Sequence, residues 1–263
     1  LPDFPAGFAG QYTAPPNPTW TFGQKVEATP EGRAFMEGEK QGWTTVNAEE
    51  QSPAYYQLMI SGIAPRPIGM VSSVSESGVE NLAVFSWFNM VSHDPPVVSL
   101  SMSDVGERFK DTVANIRATK EFVVNTVSTP FIQNANVTAI DTPPDVSEWD
   151  ISGLTKVPSL SVKPPRVKES VFSMECELFQ AVDIVVPETG RHTTTLVLGR
   201  VKRLHVRNDA LITRHSASAD ATAHTVDITK TQYAARIGDI SYTAVGPFFR
   251  IPRASWAGDR EKV

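Results

Sequence analysis

From residue 68 onward, hydrophobic positions along the chain recur mostly every second residue, and the helical spacing of three and four appears only in brief connectors. Residues 68–74 alternate and end at Glu76-Ser77-Gly78, a hairpin signal. Residues 81–91 follow as one apolar and aromatic run with small polar breaks, predicting the antiparallel partner strand. His93-Asp94-Pro95-Pro96 turns the chain into a third strand, 97–102, with Ser99 and Ser101 on one face. Val113 and Ile116 mark a helix that opens at Lys110-Asp111-Thr112, with Asp111 as its cap, and ends near Thr119. The β-branched run 121–127 is a further strand, and Thr129-Pro130 reads as the N-cap and first position of a short helix to about Ala139.

Residues 143–153 read as an irregular excursion between prolines, followed by a proline-punctuated stretch to Val171. The longest strand candidate, 172–186, turns at Pro187-Glu188-Thr189-Gly190 and returns over 193–205, a long hairpin able to complete a closed sheet. Residues 208–223 are expected to form a polar loop, and a last strand is expected around 248–251. Prolines and glycines in residues 1–50 resist continuous helix or strand, so this stretch reads as an arm. Its Trp20, Phe22 and Trp43 are expected to pack on the body or on a second subunit. The organisation expected is an arm over 1–50, a folded domain over 51–256 and a tail over 257–263. Strands outnumber helices, which favours a closed antiparallel barrel with short helical inserts over a doubly wound sheet.

With 41% hydrophobic residues the chain can bury a full core. No apolar run is long enough to span a bilayer, and the start lacks a signal-peptide pattern, so neither a membrane nor secretion is expected. Cys176 is the single cysteine, which excludes an internal disulfide and points to a reducing, cytoplasmic location. A net charge of -5 with scattered basic residues argues against nucleic acid as a partner.

Five scattered histidines without i,i+4 pairing argue against a metal site. There is no G-x-S-x-G, no G-x-G-x-x-G and no P-loop pattern, and no catalytic residue is identified. What remains is a turn suited to an anion. Ser103, Arg108, Lys110, Asp111 and Thr112 place hydroxyls and two cations directly before a helix, whose free N–H groups and dipole attract negative charge. On this stretch alone, an ordinary capped helix on a solvated loop fits equally well. The strand before it decides: Ala83, Ser86 and Asn89 interrupt a bulky run, letting a flat ring approach backbone and side-chain hydrogen-bonding groups. A planar heterocycle over one strand with a phosphate at the next helix describes flavin mononucleotide, FMN.

These residues closely resemble the flavin reductase-like family of FMN-binding split barrels, which includes flavoredoxins and the reductase partners of two-component monooxygenases. The resemblance rests on an ordered set. It begins with Pro65-Arg66-Pro67-Ile68-Gly69 and Val71-Ser72-Ser73-Val74-Ser75, and continues with Asn81 through Asn89, His93-Asp94-Pro95-Pro96 and Lys110-Asp111-Thr112. Lys168-Glu169-Ser170, Glu175-Cys176, Leu198-Gly199-Arg200-Val201 and Arg236-Ile237-Gly238 fit farther on. The resemblance implies a mainly β, six-stranded antiparallel Greek-key split barrel, a homodimer with the flavin near the subunit interface. By the same resemblance Lys110 and Thr112 hold the phosphate, Ala83, Val84, Phe85, Ser86 and Asn89 face the ring and ribityl chain, and Ser73 lies near the cofactor. It further implies an oxidoreductase that accepts hydride from NADH or NADPH on bound FMN, or on FAD in its place, and reduces flavin, oxygen or a small organic substrate. The long arm and the 143–165 insertion leave two alternatives open: an FMN-bound oxygenase or oxidase of a specialised metabolite, and a non-catalytic FMN-binding electron carrier.

Overall fold

The computed structural model describes residues 12–47, 54–104, 108–215 and 222–262. It divides into two units, one formed by 1–58 with 246–263 and the other by 59–245.

In the first unit, the helix α1 (Pro30–Met36) is capped by Thr29, whose hydroxyl accepts from Gly32 N, with Pro30 at the position where a missing N–H costs nothing. The proline-rich segment thus carries one true helix, contrary to its composition. The strand expected around 248–251 reduces to a single bridge from Phe248 to Tyr12, with the two rings 5.9 Å apart.

The second unit begins in helix α2 (Ala54–Gly62) and continues through β1 (Arg66–Pro67), β2 (Gly69–Val74), β3 (Glu80–Phe85), β4 (Phe88–His93) and β5 (Pro96–Ser103). Helix α3 (Asp111–Thr119), β6 (Glu121–Thr126), α4 (Ile132–Val137) and α5 (Glu148–Ser152) follow. After the short β7 (Lys156–Val157) and β8 (Arg166–Val167) come the long strands β9 (Phe172–Val185) and β10 (His192–Val206). The hairpin β11 (Leu211–His215) and β12 (Thr222–Val226) precedes β13 (Ala234–Ile237) and β14 (Ser241–Ala244).

Seven strands form one antiparallel sheet in the order β3-β2-β6-β9-β10-β5-β4. Its two edge strands, β3 and β4, are separated in sequence only by Ser86 and Trp87. Two residues cannot cross a flat sheet of that width, so the sheet curls until its edges meet at the bend, and the bond from Ser101 N to Trp87 O at 2.9 Å carries the β4–β5 ladder into that bend. The run 81–91, read as one strand, is therefore two. Hydrophobicity continues on both sides of the bend, which hides the break.

Alternation sorts the side chains into two cores. Val71 and Phe85 join Leu100, Met102, Phe122, Val124, Met174 and Val197 in one cluster, which Val113 and Ile116 of α3 complete. Met70 and Leu82, one position out of phase, join Phe131, Trp149 and Leu154 in the other, beneath α4 and α5. Both faces of β2 and β3 are thus covered, and β2 is buried from Gly69 to Ser73. Helix α5 lies in the stretch expected to be irregular, and the β11–β12 hairpin lies in the stretch expected to be a polar loop; residues 216–221 of that loop are outside the described residues.

Candidate functional site

The turn between β5 and α3 is held from behind. Asp104 N donates to Thr193 O at 3.0 Å, and the Asp104 carboxylate meets His192 Nδ1 at 2.5 Å. His192 Nε2 contacts Asp183 at 3.0 Å, and Asp183 also accepts from Arg117. The Phe109 ring meets His192 edge-on at 4.9 Å, and the Arg117 guanidinium lies 4.6 Å from the Phe109 ring centre. The bond to Asp104 raises the pKa of His192 and outweighs partial burial, with Asp183 adding to the rise. Burial alone would raise the Asp183 carboxyl; the bonds from Arg117 and His192 hold it below its ordinary value.

In front of this brace is a cavity of about 230 Å³. One wall is β3, with Asn81, Ala83, Val84 and Phe85; the opposite wall is the start of α3, with Arg108, Lys110, Asp111 and Thr112. Residues 138–142 and Glu148 close it. The N-cap is Lys110 and not Asp111, and no side chain caps the helix. Asp111 is instead the first helical residue and accepts from Arg108 at 3.0 Å, while Asp141 takes the other arm of the same guanidinium at 3.0 Å. Arg108 is thereby neutralised twice. Lys110 is half-buried and has no ion pair among the described residues, so it is the cation the cavity has to offer. Helix geometry adds the N–H groups of Asp111 and Thr112, which precede the first bonds of α3, those of Val113 N and Ala114 N to Lys110 O.

Thr112 is 1% exposed, and its hydroxyl oxygen accepts from Asn81 Nδ2 at 3.0 Å, which leaves its own O–H free to donate. Glu148 is buried in the cavity wall, but its carboxylate is occupied: Leu82 N donates at 3.0 Å and Thr142 Oγ1 at 2.5 Å. The donor set suits a phosphate ester: one uncommitted ammonium, one hydroxyl and the open end of a helix.

Of the residues singled out from sequence, the structure brings Ala83, Val84, Phe85, Arg108, Lys110, Asp111 and Thr112 to this cavity. It places four elsewhere. Ser73 is fully buried in β2 behind the wall, accepting from Asn115 Nδ2 at 3.1 Å. Ser86 sits at the bend between β3 and β4, within 3.4 Å of Arg66 Nε; the Arg66 guanidinium also donates to Ile60 O and, at 2.9 Å, to Ile63 O. Ser103 is exposed at the end of β5. Asn89 lines a different, mostly apolar cavity of about 680 Å³, together with Phe88, Met90 and Leu204. Sequence reasoning missed Asn81 and Glu148. Asn81 heads the very run that was singled out, whereas Glu148 lies in the excursion that carried no periodic signal.

A family model described as "Flavin reductase like domain" matches residues 61–220, a span that contains every lining residue of the Lys110 cavity. The chain belongs to the flavin reductase-like family. Among its relatives, an uncharacterized protein of Aquifex aeolicus is 42% identical over 137 residues, 52% of this chain and 70% of that protein. One from Deinococcus radiodurans is 31% identical over 215 residues, 80% of this chain and 88% of that protein. Among solved structures, nitrilotriacetate monooxygenase component B from Bacillus cereus aligns at a TM-score of 0.72 and 29% identity, covering 80% of this chain and 99% of that one. Flavoredoxin of Desulfovibrio vulgaris, at 20% identity, 82% and 100% coverage and a TM-score of 0.58, shows the same fold. The barrel closed through Ser86-Trp87 is the split barrel of this flavin reductase-like family.

Among the described residues, no group of three histidine, cysteine, aspartate or glutamate side chains is arranged to hold a metal ion. No helix among them is long and apolar enough to cross a membrane.

Proposed function

We propose that the protein is an FMN-dependent oxidoreductase. Lys110 and the first turn of α3 hold the cofactor phosphate, Thr112 donates its hydroxyl to the same group, and Ala83, Val84 and Phe85 flank the ribityl chain and the ring edge. One observation carries this reading: a half-buried lysine without an acid partner among the described residues shares a cavity with an uncapped helix start and the strand of small residues, in a chain of the flavin reductase-like family.

When bound, the FMN would supply the redox chemistry, acceptance of hydride from NADH or NADPH and onward electron transfer. The protein's own share is to bind, orient and exclude water. Lys110 neutralises phosphate charge, Asn81 fixes the Thr112 hydroxyl, and the covered faces of β3 keep the wall rigid. No side chain has to move a proton for hydride transfer, which accords with a wall that presents no uncommitted acid or base besides Lys110 among its described residues. A volume of about 230 Å³ lies below the roughly 300 Å³ at which small-molecule sites begin. It accommodates the phosphate and ribityl chain; the ring needs a further wall, which supports a homodimer with the flavin at the subunit interface. Ser86 and Asn89 belong to that ring face in this reading.

A second reading, an FMN-bound oxygenase or oxidase, is favoured by the 680 Å³ apolar cavity, large enough for an organic substrate. Anaerobic addition of NADH or NADPH to the flavin-loaded protein tests the first reading: bleaching of the flavin band is expected. A flavin that stays oxidised with both nicotinamides would contradict it.

A further inference from the structure

A cavity of about 660 Å³, which shares no lining residue with the one at Lys110, lies among β8, β9, the end of β10 and the β11–β12 hairpin. Arg166, Lys168, His205, Arg207 and His224 line it, and no carboxylate is among its described lining residues. The remaining wall is mostly apolar, with Val167, Phe172, Leu204, Leu211 and Val226, and is interrupted by the hydroxyl residues Ser170, Ser173 and Thr225.

Three of the five basic groups are already engaged. His205 Nε2 meets the fully buried Glu175 at 2.6 Å, Arg207 makes a two-pronged pair with Asp209 at 2.6 and 2.9 Å, and His224 Nδ1 contacts Thr213 Oγ1 at 3.1 Å. Arg166 and Lys168 are not. The Arg166 side chain has one long bond of 3.4 Å to Pro158 O, and its Nε is shielded from solvent without any acceptor. Lys168 has no side-chain bond or ion pair among the described residues, and the neighbouring Glu169 turns both carboxylate oxygens to Thr155 N instead.

A shielded guanidinium N–H without an acceptor is costly, and its planar fork matches a carboxylate. Two uncommitted positive charges facing an apolar wall select an amphipathic anion, and the volume falls within the range of small-molecule sites. We propose that this cavity binds an organic carboxylate, its acid group on Arg166 and Lys168 and its apolar body against Phe172, Leu204 and Leu211. The site shares no residue with the phosphate assignment at Lys110, but Phe172 and Leu204 also line the 680 Å³ cavity that holds Asn89, while Arg166 and Lys168 do not.

Calorimetric titration of the flavin-loaded protein with 2-naphthoate tests it, alongside 2-naphthamide and inorganic phosphate as probes lacking the charge or the apolar body. One 2-naphthoate per chain is expected, with affinity about tenfold weaker in Arg166→Gln and in Lys168→Gln, each a lost charge-assisted contact. Flavin content should be unchanged in both, and 2-naphthamide and phosphate should each bind at least about tenfold more weakly. No uptake of 2-naphthoate, equal binding of the neutral amide or of phosphate, displacement by FMN, or unaltered affinity in the exposed-site variant Lys168→Gln would each overturn the proposal.

Discussion

Asn81 Nδ2 donates to Thr112 Oγ1 across 3.0 Å, joining the first turn of α3 to the strand that forms the opposite wall of the Lys110 cavity. Both residues are shielded from solvent, so the bond sets the spacing of the two walls in a low-dielectric setting. Asn81→Leu removes the donor and leaves the hydroxyl unmatched, at an expected cost of about 1–3 kcal/mol in urea unfolding. Thr112→Val should cost a similar amount, and the double variant less than the sum, because both remove one bond. Additive losses would show that the two residues act separately.

Gly199 of β10 sits over the fully buried Phe122, and a Cβ built there would come 2.3 Å from the ring's Cζ. Gly199→Ala therefore forces the ring or strand to shift, at an expected cost of about 1–3 kcal/mol. Thermal unfolding should record a lower midpoint, largely restored by adding Phe122→Leu, which removes the obstructing atom.

The parts of this fold that show in the sequence are those where one pattern holds without competition. The β9–β10 hairpin announces itself through long alternation around Pro187-Glu188-Thr189-Gly190, and α3 through Val113 and Ile116. The bend at Ser86-Trp87 does not, because apolar residues continue through it and only barrel closure demands the break. Helix α5 is five residues long, too short for periodicity to register; tertiary burial of Trp149 and Glu148 holds it. At the site, residue types revealed the cation and the small-residue strand. The competition among acids did not show: Asp111 was read as a cap but is drawn to Arg108, which takes that arginine out of use and leaves Lys110.

Stability should depend on pH through His192. Its folded pKa lies above the ordinary value of about 6.5, because Asp104, with Asp183, favours the charged form. The stabilisation is therefore fully present below about pH 6.5 and is lost as pH rises through the folded pKa. Asp183, whose folded pKa is depressed, works in the opposite sense: its contribution is present above the ordinary carboxyl range and is lost as pH falls through the folded value. His192→Gln should accordingly lower the urea midpoint at about pH 5.5 and change it little at about pH 9. A deficit equal at both pH values would show that the ring acts by packing on Phe109 alone.

Cys176 is fully buried in the barrel core, and burial, with Glu175 beside it, pushes its thiol well above the ordinary range. Native protein should resist a thiol-specific chromogenic disulfide, while urea-unfolded protein should release one equivalent of chromophore. Prompt reaction of the native protein would mean that the barrel opens locally at β9.

Titrating FMN into flavin-free protein, with flavin fluorescence as the readout, tests the cofactor site most directly. One FMN per chain is expected, with binding weakened by about 1.5–3 kcal/mol in Lys110→Ala through loss of a charge-assisted contact. Failure of the protein to take up FMN, or an affinity untouched by Lys110→Ala, would contradict the assignment of the phosphate to the start of α3.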